Sequence, residues 1–235
     1  MLEVKNIASG YARLPVLRDI NLEVRKGEII LVLGANGAGK TTLLKTIAGF
    51  LRPTAGQITH DGASIVGRAP EENARRGLRL VLEGHRVFPD LSVAQNMRLG
   101  RIARGARKRD EDRAEQALDL FPILRDKSDM AARDLSGGQQ QMLALAQAFI
   151  ARPGILLCDE LSLGLAQSLI PPILKLMRDW ANEGTGILLV EQYADLALPL
   201  ADRVIVMRGG EIILSCEAHE LSSSSQLREA YLGVS

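Results

Sequence analysis

Four short apolar runs stand out along the chain: IILVL (29–33), ILLC (155–158), ILLV (187–190) and VIVM (204–207). Uninterrupted apolar runs of this length are what strands covered on both faces require. Near the start, LEVKNIASGY (2–11) and INLEVRKGEIILVLG (20–34) alternate or run β-branched, and Lys26-Gly27 marks a turn between two strands. Between ILLC and ILLV lies PPILKLMRDWANEG (171–184). Pro171 and Pro172 suit a helix's first turn and Gly184 its end. Strand, helix, strand at this spacing predicts a mainly parallel sheet. The stretch from about 92 to 130 differs: it is rich in helix formers and charge, and an acidic DED (110–112) precedes an apolar face. Two or three helices forming an insert are expected there. The basic run RIARGARKR (101–109) reads as a solvated face or as a surface for a partner.

Composition narrows the class. The chain has 235 residues, 46% of them apolar and only 3% aromatic, so Leu, Ile, Val and Ala must build the core. A net charge of +1 gives no general attraction to nucleic acid or anionic lipid. No apolar run approaches the ~18 residues that span a bilayer, and the N-terminus lacks the apolar stretch of a signal peptide, so a cytosolic protein is expected. Cys158 and Cys216 form no CxxC pair, and Cys158 reads as a buried small hydrophobe. His60, His85 and His219 lack metal-ligand spacing, so no zinc site is expected. SSSS (222–225) reads as a loop or cap.

The candidate chemistry begins after the first apolar run. Gly34, Ala35, Asn36, Gly37, Ala38, Gly39, Lys40 and Thr41 match GxxxxGK[ST], between a β-rich run and an amphipathic helix. Glycines let the backbone N–H groups converge on one anion, and the helix N-terminus adds positive potential. This is a nucleoside triphosphate site in which Lys40 reaches the β- and γ-phosphates, Thr41 ligates Mg²⁺ and Thr42 serves the α-phosphate side. Its partner is GILLCDE (154–160), an apolar strand ending in Asp159, suited to Mg²⁺, and Glu160, suited to activating the attacking water.

LSGGQ (135–139) opens an amphipathic stretch about twenty residues before the Asp-Glu pair. In that position it resembles the signature of the ATP-binding cassette ATPases. Ser136, Gly137, Gly138 and Gln139 then form a second helix N-terminus. The resemblance implies that this end serves the γ-phosphate of a partner subunit, with two chains head to tail around two ATPs. It also implies that Tyr11 stacks on adenine, where the alternative is a half-exposed strand residue, and that Val16 lines the same pocket. SLGLAQ (162–167) falls at the dimer-contact loop. LEGHRVFPDLSVAQN (82–96) falls at the loop that, with the insert, meets cytoplasmic helices of membrane subunits. The fold implied is α/β: a P-loop NTPase core with a mainly parallel sheet, an N-terminal antiparallel β part and an inserted helical subdomain. One domain is expected over 1–235, with core over 1–82 and 155–235 and the helical insert, carrying the signature, over 84–154.

EGHRVFPDLSV, LCDELSLGLAQ, ILLVEQYADLAL and REAYLG together resemble the shorter ATP-binding subunit of branched-chain amino-acid importers, and nearly as well the importers of urea and short amides. That resemblance implies a second, different ATPase subunit, polytopic permease subunits, a periplasmic substrate-binding protein reached indirectly, and a place on the cytoplasmic face of the inner membrane. Leu161 and Gln167 replace usual prolines, Leu82 stands in the usual Val-Pro-Glu, and His85 replaces an arginine. Most cassette ATPases have histidine at the position of Gln192 and glutamine at that of Glu83. An amide cannot take up a proton near neutral pH. Glu160 is therefore expected to be the base, with Gln192 positioning, while Glu83 supplies a Mg²⁺ or water contact. Export of lipid or polysaccharide, a soluble non-transport cassette protein and a regulatory module without turnover are the other readings. The long insertions or second cassette of the soluble class are not seen here, and Glu160 argues against the regulatory module.

Overall fold

The alternating N-terminal stretches become β1 (Leu2–Tyr11) and β2 (Leu14–Val24) in a computed structural model of the chain. The Lys26-Gly27 turn, with Gly27 at φ +78°, leads into β3 (Ile29–Leu33). Next come α1 (Lys40–Ala48), β4 (Ala55–His60), β5 (Ala63–Ser64), α2 (Pro70–Arg75) and β6 (Leu78–Val81). The charged stretch forms α3 (Val93–Ile102), α4 (Arg109–Leu120) and α5 (Pro122–Asp126), followed by α6 (Gly137–Ile150). The remainder alternates as β7 (Ile155–Asp159), α7 (Ile170–Asn182), β8 (Gly186–Val190), β9 (Arg203–Arg208) and β10 (Glu211–Glu217). The structure describes residues 1–12, 14–82, 84, 87–102, 109–161, 165–191 and 197–221, and only the backbone of 101–102 and 109–112. Glu83, His85, Gln192, most of the basic run, 162–164 and the C-terminal SSSS and REAYLG segments lie outside the described residues.

The larger sheet has the order β10-β9-β3-β8-β7-β6. Its members from β9 to β6 run parallel, and β10 pairs antiparallel with β9. β8 lies between β3 and β7, with Ile29 opposite Ile187 and Asp159 opposite Val190. A smaller antiparallel sheet has the order β2-β1-β4-β5. The unbroken apolar runs follow from two cores. Leu31, Leu156, Leu189 and Val204 face one, shared with α6 and α7; Val32, Leu157, Leu188 and Ile205 face the other, shared with α1 and the smaller sheet. Side chains alternate with period two, so a strand apolar at every position must be covered on both sides. Fully burying each such Leu, Ile or Val stabilises by roughly 1.5–3 kcal/mol relative to exposure.

The helices are set by local chemistry. α7 begins with Pro171 and Pro172, whose missing N–H groups cost nothing in a first turn. It ends at Gly184 (φ +100°), where the Gly184 and Thr185 N–H groups donate to the Ala181 and Trp180 carbonyls at 2.7 and 3.0 Å. α3 and α6 approach closely at Gly100, where a Cβ would stand 2.7 Å from the Gln147 carbonyl oxygen. Beside that contact, the Gln147 Nε2 donates to the Asn96 carbonyl at 2.9 Å and to Asn96 Oδ1 at 3.0 Å. Buried Asn96 donates in turn to the Phe88 and Leu91 carbonyls, which fixes the loop before α3. Arg113 on α4 pairs with Glu183 after α7, and its guanidinium lies 4.9 Å over the Phe149 ring, which stacks on Trp180. Through this column α4 is joined to both α6 and α7.

Candidate functional site

The loop from Gly34 to Gly39 leaves the C-terminal end of β3 and enters α1. It is tightly seated. A Cβ on Gly34 would lie 2.5 Å from the Met207 carbonyl oxygen on β9, so only glycine lets the loop start there. Gly39, at φ +102°, precedes the first turn of α1. The Ala38 N–H closes a turn onto the Ala35 carbonyl, and the Gly210 N–H donates to the Ala38 carbonyl, both at 3.0 Å. Lys40 is buried, and its ammonium donates to the Gly34 and Ala35 carbonyls at 2.6 and 3.2 Å. Burial pushes this ammonium below the usual lysine range, opposed by the charges of Glu160 and Asp159.

A cleft of about 660 Å³ opens over this loop. One wall is polar: Asn36, Gly37, Gly39, Lys40, Thr41 and Thr42 line it, and Glu160 faces them. The other wall is the tip of the β1–β2 hairpin, where Tyr11 pairs with Leu14 and Val16 follows. Tyr11 and Leu14 are 43% and 67% exposed, an apolar platform beside a phosphate-type loop. Asp159 ends β7 with 2% exposure and lies near enough to act on the Lys40 charge. Glu160 has φ +48°, and its N–H donates to the Val190 carbonyl at 2.9 Å, so β8 fixes the turn that presents its carboxylate. Glu191, at the end of β8, is buried, and its charge acts on the Cys158 thiol.

Ser136 to Gln139 do not line this cleft. Ser136 caps α6: its hydroxyl accepts from the Gln139 N–H at 3.4 Å, and its own N–H donates to Gln139 Oε1 at 3.1 Å. Gln139 Oε1 also accepts from Lys127 at 3.1 Å. The Gln139 side chain is thus occupied within its own cap, while Ser136 and Gly137 are exposed at a helix N-terminus. The described residues therefore place Tyr11, Val16, the loop, Lys40, Thr41, Thr42 and Glu160 around one cleft and the signature residues elsewhere. Gly34 and Ala38 are buried under the loop, and none of Gly34, exposed Ala35 and Ala38 lines the cleft wall. Leu14 was not anticipated as a cleft residue; its place two positions before Val16 on the same strand face is the signal that points to it.

A glycine-rich loop at a helix N-terminus, a buried lysine and a strand-end carboxylate define a P-loop ATPase. A family model described as ABC transporter matches residues 17–162, and the chain belongs to that family. Over 99% of its length it is 38% identical to the high-affinity branched-chain amino acid transport ATP-binding protein BraG of Pseudomonas aeruginosa, all of which is covered. Its fold matches a solved ATP-binding subunit of an ABC transporter with a TM-score of 0.88 at 28% identity, covering 99% of this chain and 96% of that one. It also matches the dimeric structure of MJ0796, a bacterial ABC transporter cassette, with a TM-score of 0.82 at 26% identity, covering 93% and 99% respectively. The chain is an ATPase of the ABC class.

Proposed function

We propose that this chain is the ATP-hydrolysing subunit of an importer of branched-chain, hydrophobic amino acids. Similarity to BraG along the whole chain supports the substrate class, and the cleft that joins Lys40, Thr41 and Glu160 carries the ATPase chemistry. On this reading it works at the cytoplasmic face of the inner membrane against polytopic permease subunits, with a periplasmic substrate-binding protein upstream. No helix among the described residues is long and apolar enough to cross a membrane, in keeping with a peripheral subunit. The division proposed is a nucleotide-binding core (1–82 and 155–235) with a helical insert (84–154) that carries the signature.

Tyr11, with Leu14 and Val16, gives the adenine ring an apolar surface to stack on. The N–H groups of residues 34–39 and the positive end of α1 hold the phosphates. Lys40 exchanges its two carbonyl partners for the β- and γ-phosphate oxygens, and the Thr42 N–H and hydroxyl serve the α-phosphate side. The Thr41 hydroxyl and the Asp159 carboxylate are hard oxygen donors and too few to enclose an ion, which suits Mg²⁺ that takes its other ligands from phosphate and water. Bound there, Mg²⁺ would neutralise developing phosphate charge. Glu83 is a further candidate contact from the loop at 82–96. Glu160 accepts the proton of the water that attacks the γ-phosphorus in line, and Gln192 positions that water or phosphate. The exposed N-terminus of α6, with Ser136, Gly137 and Gly138, completes the site of a second ATPase subunit in a head-to-tail dimer, a heterodimer in the cell.

The test is reconstitution. The chain is purified with its membrane subunits, and ATP turnover is measured while the co-purifying binding protein is titrated with leucine, isoleucine, glutamate and urea. Stimulation by leucine or isoleucine is expected. Stimulation by urea alone would replace the substrate class; recovery of the chain with DNA and without membrane proteins would remove the importer reading.

A further inference from the structure

Lys127 follows α5 in a turn whose backbone is tied at several points. Its N–H donates to the Ile123 carbonyl at 3.1 Å, and its own carbonyl accepts from the Met130 N–H at 2.9 Å. The Ser128 and Met130 carbonyls accept from the Ala94 and Val93 N–H groups at 2.9 and 3.0 Å, at the start of α3. The root of the Lys127 side chain is therefore fixed, and the side chain itself reaches α6. Its ammonium donates to Gln139 Oε1 at 3.1 Å, the same oxygen that accepts from the Ser136 N–H at 3.1 Å. An amide oxygen has two lone pairs, so both donors are accommodated. Lys127 thereby sets how the Gln139 side chain folds over the cap.

The charge at this end is unusual for a helix. α6 has no acidic residue in its first turn. A helix N-terminus is partly positive, so a carboxylate there is stabilising and an ammonium is the reverse. Lys127 bonds a neutral amide, so this bond brings a positive charge to the positive end of α6. Ser136 and Gly137 are exposed at the same end. The arrangement is unfavourable in the free chain and becomes favourable when an anion docks.

We propose that Lys127 is a positioning residue for the contact between this helix end and the nucleotide of the second ATPase subunit. It acts through Gln139. The ammonium holds the amide oxygen against the Ser136 N–H, which keeps Ser136 and Gly137 presented outward. The inference rests on the head-to-tail reading and names the side chain that prepares this surface. Lys127 does not line the chain's own cleft, so it separates two roles of ATP: filling that cleft and closing the dimer.

The test uses the full-length Glu160→Gln chain as parent. Its ATP-dependent association with itself and with the co-purified second ATPase subunit is measured by sedimentation. Adding K127M should weaken association at least about tenfold, as expected for loss of a hydrogen bond to a charged group. K127R should stay within about threefold of the parent, because it keeps a charged donor. In a Q139A background, K127M should add no more than about twofold, since its route is then already gone. ATP affinity of the monomer and melting temperature should stay near those of the parent. Association of K127M within about threefold of the parent, or its full effect in Q139A, overturns the inference and leaves the head-to-tail reading intact. Weaker ATP binding by the K127M monomer also overturns it, because the effect then lies in the chain's own cleft. Failure of the parent to associate with either subunit overturns both.

Discussion

The Lys40 ammonium lies 2.6 Å from the carbonyl oxygen of Gly34, across the loop that the two residues bracket. The loop is therefore held closed by the same charge that is proposed to bind phosphate. Burial works against that charge, while Glu160 and Asp159 support it.

Lys40→Ala should consequently bind ATP at least about tenfold more weakly, since a hydrogen bond to a charged group contributes ~1.5–3 kcal/mol. Titration calorimetry with ATP and Mg²⁺ measures this directly. An unchanged Kd would remove Lys40 from the phosphate site.

Glu160→Gln should separate binding from chemistry. The Glu160 N–H is held by the Val190 carbonyl, so the amide variant keeps the turn and the shape of the side chain. It loses only the capacity to accept a proton. ATP affinity should stay near wild type, ATP-dependent dimers should accumulate in size-exclusion chromatography, and turnover should drop by ~10²–10⁴-fold. Turnover within threefold of wild type, about 0.6 kcal/mol in barrier, would assign the base elsewhere.

Much of the nucleotide cleft was legible because its parts are local. The loop, Lys40, Thr41 and Thr42 are contiguous, and Asp159 and Glu160 simply end an apolar run. The strands were legible as well, because burial on both faces leaves an unbroken apolar signature in β3, β7, β8 and β9. Their order was not. That β8 separates β3 from β7 depends on pairings between distant segments, which periodicity cannot encode. The Asn96–Gln147 bond and the Arg113–Phe149–Trp180 column were hidden for the same reason. Arg113 directly follows the acidic DED (110–112), and nothing in that stretch points to Glu183 or Phe149, which only the fold places beside it.

Gly100 offers a test in which two effects oppose each other. Within a helix, Gly→Ala is favourable by ~0.8–1.0 kcal/mol on propensity alone. Here the new Cβ would meet the Gln147 carbonyl oxygen at 2.7 Å and its Cα at 3.2 Å, and backbone cannot swing away as a side chain can. Overpacking of this kind costs ~1–3 kcal/mol, so the clash should win. Gly100→Ala should lower the denaturant midpoint, whereas a higher midpoint would mean that α3 and α6 are not in this contact.

Arg113→Ala should weaken the joint between α4 and α7. Glu183 is largely exposed, so removing the arginine strands no buried carboxylate, and the loss is of the hydrogen bonds and of the contact with Phe149. A destabilisation of about 1–3 kcal/mol is expected in urea unfolding. Arg113→Lys should recover less than half, because an ammonium cannot span both groups. Full stability in Arg113→Ala would show that the column contributes nothing.

Cys158 gives a pH-dependent prediction of known sign. The thiol is fully buried on β7, and burial first, then the charges of Glu191 and Asp159, raise it well above its usual value. The unfolded thiol ionises near its ordinary value, about 8.5. Below that pH both states hold the proton and the contribution to stability is fully present. Above it the unfolded state loses the proton first, so stability falls with rising pH. Cys158→Ala removes that term, and its urea midpoint should decline less steeply than wild type between about pH 8.5 and 10. In the native protein at neutral pH, Ellman's reagent should reach half-buried Cys216 and leave Cys158 until urea is added. Rapid native reaction of both thiols, or identical alkaline slopes for the two proteins, would contradict the burial of Cys158.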